Sequence, residues 1–418
     1  MHTVILGGGV IGLTTAYHLA REGEAVTIVD ARSTGSGASE VNAGWVVPAE
    51  AAPVPGPGLV LTSMKWMLRP DSPLYIRPSL DPSFIRFMLT MWRRCTAVDQ
   101  RLGFEGHLRL AHGSVESFEE YRADGIDYEL HARGLLKAFT QKQALDHQLE
   151  NLDLARQFDL DPQILIGDAV REREPRLSDQ VYGGIWYPNE QHLDPGAFVQ
   201  SLHKRVVELG VHIEENTAID AVDHDGTRVA ALRSGGRTIT ADRYVLAAGA
   251  WTGPLSRLFG VPLPVRPGKG YCLDLEPYPL RQPVNLADAK VAVTPLDGRL
   301  RLAGTMEFGG LDEKVNPVRV DAILRAPRVY FRDWEPPSTP PPARAGCRPM
   351  TPDGKPVIGR LGGLRNAFVS AGHAMLGVTL APGSATALTD LILRDRLSPD
   401  LNTFSPARFV RGAYAQHH

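Results

Sequence analysis

Three short stretches bring together groups suited to chemistry. Residues 7–12 read GGGVIG and match G-x-G-x-x-G. Glycines at Gly7, Gly9 and Gly12 let backbone approach a pyrophosphate, and a helix opening at Val10 and Ile11 turns free N–H groups toward it. Residues 345–359, AGCRPMTPDGKPVIG, set Arg348 among prolines and glycines. This is either a surface loop between domains or a stiff frame that aims a guanidinium. A guanidinium grips a carboxylate through two parallel N–H···O bonds. Residues 372–377, GHAMLG, place His373 in a run of mostly small residues. An imidazole there would contact a bound ring, move a proton, or serve only the structure.

The elements that must position these groups are legible around them. Residues 3–6 form an apolar, partly β-branched run fit for a buried parallel strand. The glycines follow, then an apolar helical spacing at Leu13, Ala16, Tyr17 and Ala20, with Gly23 as its stop. Ala25 to Val29 reads as a second strand ending at Asp30, where a carboxylate would accept from a ribose 2′-hydroxyl. Two anions would meet if that ribose carried a 2′-phosphate. The next loop, rich in Gly, Ser and Ala, includes Ala31, Arg32, Ser39, Asn42, Ala43 and Gly44. Its composition suits both close approach to a ring system and a flexible surface loop. Later strands end in small residues at Ala248, Gly249 and Trp251, and at Gly372, His373, Met375, Leu376 and Gly377. In a parallel sheet such ends line one crevice. A cofactor held by segments this far apart is long, which favours FAD over NAD.

Composition sets the bounds. The chain has 418 residues, a length for two or three domains, and a formal net charge of −2, which excludes a nucleic-acid partner. Its cysteines, Cys95, Cys272 and Cys347, are scattered and odd in number, so they signal neither a disulfide frame nor a metal site. The N-terminus lacks a secretory pattern and no apolar run spans a bilayer, so a cytoplasmic location is expected.

GGGVIGLTTAYHLAREG, NAG (42–44), GGIWYPNEQHLDPGAF (183–198), AAGAW (247–251), GCRPMTPDGKPVIG (346–359) and GHAMLGVTLAPGSA (372–385) together resemble the FAD-dependent D-amino-acid oxidase superfamily, nearest its bacterial D-amino-acid dehydrogenase branch. The resemblance implies an α/β fold: a Rossmann-like FAD-binding domain with a parallel sheet and β-meander, interleaved with an α+β substrate domain on a mostly antiparallel sheet. Residues 1–50, 145–262 and 343–418 would form the first, and 51–144 and 263–342 the second. It implies oxidative deamination of D-amino acids to 2-oxo acids, with electrons passed to a quinone or oxygen. Secondary-amine or imino-acid oxidation is an alternative, and a non-catalytic electron-transfer subunit is another.

The resemblance makes Arg348 the carboxylate clamp and His373 a flavin contact with a base role as the alternative. It puts Tyr271 in the substrate pocket, Lys269 near the flavin, and Gly346 with Arg348 beside the cofactor. Some relatives attach flavin through a cysteine five residues before the Thr of TPD; here Gly346 holds that place before Thr351 and Cys347 is one residue off. Non-covalent FAD is therefore expected.

Phe84, Phe87, Met88, Met91, Trp92 and Cys95 fall on one helical stripe flanked by Arg86, Arg93 and Arg94. It reads as a core-facing helix with a basic outer face. A second reading, suggested by the quinone-linked branch, docks residues 60–95 at the inner face of the membrane.

Overall fold

The computed structural model describes residues 1–58, 69, 71–150 and 152–409. Strand β1 (His2–Leu6), helix α1 (Val10–Arg21) and strand β2 (Ala25–Val29) form the expected opening unit. β1 and β2 are parallel, pairing Ile5 with Ile28 and Leu6 with Val29. The Arg243–Leu246 strand lies in parallel on the other side of β1, followed by Ala367–Ala371. His212–Glu214 and Val357–Arg360 close the edges of this six-stranded sheet. Its central strands are mostly apolar because both faces are covered, with Thr3, Thr27 and Ser370 as buried polar exceptions. A three-stranded antiparallel meander, Ala221–His224, Val229–Ser234 and Arg237–Ile239, completes the expected pattern. The long Gly377–Arg394 helix packs along α1.

A nine-stranded, mostly antiparallel sheet forms the second layer. At its heart are Arg266–Leu275, Val291–Leu296 and Arg299–Phe308. The last two are joined at Asp297 and Gly298, as the turn chemistry predicts.

The structure shifts the expected domain boundaries. Gln163–Ile166 and Gly183–Tyr187, inside 145–262, belong to the large sheet, and Arg344–Met350 forms one of its edges. Helices Ala97–Ala111 and Ser114–Ala123, inside 51–144, place Phe104, Leu108, Phe118 and Tyr121 in one core with Leu13 and Tyr17 of α1. Periodicity states an element's type and its buried face, but not which sheet it joins.

Helix Pro82–Arg93 forms as expected, with Phe87 and Met91 buried. Trp92 does not join that core: it is 59% exposed and stands at the rim of the cavity described next.

Candidate active site

A cavity of about 920 Å³ runs between the two sheets. At one end Gly7 bends the chain with φ +114°, and a Cβ there would lie 2.5 Å from the Ala247 carbonyl oxygen. α1 then begins with no acid in its first turn and no capping side chain from Gly9. The Val10 N–H donates to Ser39 Oγ at 2.9 Å. Asp30 accepts from the Gly8 and Arg32 N–H groups at 2.7 and 2.8 Å. A carboxylate has about four acceptor positions, so capacity remains for a ribose. Asn42 ties its own loop together, donating to Ser39 O and accepting from Gly44 N.

Gly7, Gly9, Val10, Ile11, Asp30, Ala31, Arg32, Ser39, Asn42, Ala43, Ala248, Gly249, Trp251, Arg348, His373, Met375, Leu376 and Gly377 line the cavity. Gly12, Gly44, Gly346 and Gly372 stand behind its wall, each passing another segment too closely for a side chain. The Arg32 side chain pairs with Glu313 at 3.0 Å and stacks over Trp251.

At the far end Arg348 reaches across the neighbouring strand. Nη1 donates to the Thr305 carbonyl at 2.6 Å. The path exists because residue 270 is glycine; a Cβ there would meet Nη1 at 2.1 Å. Thr305 sits at a bulge with φ +66°, costly for a β-branched residue. Among the described residues no carboxylate pairs with Arg348. Burial lowers its pKa to about 10, so the guanidinium is a desolvated cation facing the cavity without an anion. The Ala374 N–H donates to the Pro349 carbonyl at 3.0 Å, joining the 372–377 loop to the Arg348 strand.

His373 is buried with Nε2 2.9 Å from Ser384 Oγ and Nδ1 without a partner among the described residues. Burial, then the nearby His107, lowers its pKa to about 3. It is therefore neutral at physiological pH.

Tyr271 is a correction. Along a strand alternate residues face opposite sides. Gly270 faces Arg348, so Lys269 and Tyr271 face away from the cavity. The Tyr271 hydroxyl donates to Glu307 Oε2 at 2.9 Å, and Lys269 Nζ pairs with Asp312 at 2.8 Å. Neither lines the cavity.

The sequence reading missed Thr217, Glu50, Lys137, Asn285, Lys290 and Thr305, all on the cavity wall. The Thr217 N–H donates to the Asp30 carbonyl at 2.8 Å just past the third parallel strand, a position that strand order alone reveals.

Residues 2–391 match the DAO family, described as FAD dependent oxidoreductase. The chain belongs to that family and is an FAD-using oxidoreductase. A D-amino acid dehydrogenase of Bradyrhizobium diazoefficiens is 33% identical over 98% of this chain and 99% of that protein. One of Methylobacterium radiotolerans is 34% identical over 94% and 96% respectively. The solved glycine oxidase of Geobacillus kaustophilus superposes with a TM-score of 0.78 and 25% identity, covering 98% of both chains.

The cavity fits FAD on its own terms. The glycine cradle, the start of α1 and Asp30 suit a pyrophosphate and ribose. Among the described residues, buried Ser370 Oγ and His373 Nδ1 lack partners at the opposite wall, where a ring with polar edges would supply them.

Proposed function

We propose that this chain oxidises D-amino acids. A hydride leaves Cα, the amine becomes an imine, and hydrolysis yields the 2-oxo acid and ammonia. The two dehydrogenase relatives support the substrate class. The observation that carries the reading is Arg348, a cavity-facing cation with no acid beside it among the described residues. FAD, when bound, supplies the hydride acceptor. The chain supplies binding and orientation. Arg348 takes the substrate carboxylate in paired N–H···O bonds, and the Thr305 carbonyl fixes its angle. His373, with its pKa near 3, is too weak a base for the substrate ammonium, so the substrate reacts as the neutral amine. The imidazole instead offers Nδ1 to the cofactor. FAD is held without a covalent bond, and electrons leave for a quinone or another acceptor.

The test is anaerobic titration of the yellow holoenzyme with D- and L-amino acids and N-methyl amines, then reoxidation by a quinone analogue or oxygen. Bleaching by D-amino acids is expected. An enzyme that stays yellow with every amino acid overturns the reading.

Peripheral membrane contact belongs to the same reading. Ile85, Leu89 and Trp92 are exposed on helix Pro82–Arg93, flanked by Arg86 and Arg93. No helix among the described residues is long and apolar enough to cross a membrane. Residues 60–68 and 70 of the expected docking segment lie outside the described residues. Salt-sensitive flotation with anionic liposomes supports docking; its absence removes it.

A further inference from the structure

The cavity wall beyond Arg348 carries charge that the reaction above does not use. Lys137, Asn285 and Ala292 lie in one row across adjacent strands of the large sheet. All three line the cavity. Val291 pairs with Gly304, so Lys290 stands level with Thr305 at the strand entrance. One strand spacing, about 5 Å, therefore separates the Lys290 backbone from the residue whose carbonyl holds Arg348.

Lys137 is already neutralised by Glu50, Nζ lying 3.0 Å from Oε1. Lys290 has no ion pair or hydrogen bond among the described residues. Its side chain is open to the cavity, yet burial lowers its ammonium pKa, with Lys137 adding to the effect and Glu50 and Asp288 opposing it. The residue is nonetheless exposed, so water still reaches the ammonium. The Asp288 carboxylate is engaged by Thr140 and Tyr330 and does not line the cavity. The Asn285 amide is likewise without a partner among the described residues, which leaves N–H donors beside the ammonium. At this wall stand two cations and one anion, and the surplus cation is the one without a partner. An unpaired ammonium next to amide donors on a cavity wall is complementary to a carboxylate.

We infer that Lys290 and Asn285, with Lys137 behind them, form a subsite for a second carboxylate, so that the substrate is an α-amino acid with an acidic side chain. This rests on the amino-acid reading above: Arg348 takes the α-carboxylate and Lys290 the distal one. The pyrophosphate end of the cavity lies at α1 and makes no claim on this cation.

The test uses the holoenzyme and separates the two readings. Glutarate and butyrate are titrated against the flavin absorbance, which needs no oxidation. Glutarate should bind about tenfold or more tightly than butyrate, and Lys290→Met should abolish that ratio while Lys290→Arg restores it. In turnover, the kcat/KM ratio of D-glutamate over D-norvaline should fall by about the same factor in Lys290→Met. Equal binding of glutarate and butyrate by the wild type overturns the subsite whatever the variants do. So does a Lys290→Met protein that shifts the flavin spectrum but keeps the ratio, since the ammonium would then serve the cofactor. Glutarate selectivity without bleaching by any amino acid keeps the subsite and overturns only the amine oxidation.

Discussion

Replacing Arg348 by methionine should move activity and stability in opposite directions. The guanidinium has one backbone acceptor at 2.6 Å, and no acid pairs with it among the described residues. Burial lowers its pKa from the ordinary arginine value to about 10, so the folded chain resists its charge. The sign follows from linkage. Below pH 10 both states are charged and the full cost is present; it is relieved only as pH climbs from about 10 toward the ordinary arginine value. That cost is on the order of 3 kcal/mol. Methionine keeps much of the volume and removes it, so substrate-free holoenzyme should melt at the same temperature or higher. Substrate turnover shows the reverse. Losing one partner of a desolvated charge pair costs about 3 kcal/mol or more, roughly a hundredfold or more in kcat/KM for D-amino acids. Anaerobic stopped-flow reduction measures the second effect and thermal melting the first. A variant within about fivefold of wild-type kcat/KM refutes the clamp. A variant with flavin absent and a much lower Tm would make Arg348 a structural residue instead.

Gly270→Ala should keep fold and flavin yet raise the KM for amino acids, because its Cβ takes the space now held by Arg348 Nη1; unchanged steady-state kinetics would mean that the guanidinium does not work from this position. Glu190→Gln should stabilise the protein increasingly from about pH 5 to 8. Burial raises this carboxyl from 4.5 to about 8, so the folded chain keeps a proton that the unfolded chain releases, and stability is lost across that window at about 1.4 kcal/mol per pH unit. Melting curves of both proteins over pH 5 to 9 would give a flat difference if the carboxyl were not perturbed. Acid precipitation should release all flavin into the supernatant: the Cys347 thiol, 3.5 Å from the Asp312 carbonyl, is pushed by burial to about 11 and is a poor nucleophile. Yellow colour in the pellet would contradict this.

The glycine turn and helix start at one end of the cavity were legible because their requirements are local. Gly7, Gly9, Val10, Ile11 and Asp30 act through turn geometry and a helix start, and both leave a linear motif. Ala367–Ala371 and the helix after it were readable for the same reason. The substrate end was harder. Tyr271 was placed in the pocket, but a one-residue change of parity decides which face it occupies, and Gly270 takes the cavity face. Lys290 and Asn285 carry no motif at all. They line the same cavity as Arg348 only because strands distant in sequence lie side by side, a relation set by sheet register and not by neighbours in the chain.

The order of strands in the parallel sheet also constrains how the holoenzyme is made. β1 leaves the ribosome long before Ala367–Ala371 and the start of the Gly377–Arg394 helix, which close its crevice. A nascent chain displaying the glycine turn has half a socket and nothing to press the ring against. Flavin capture therefore waits for this strand–helix pair, and a protein cut before it would stay colourless however sound its first half.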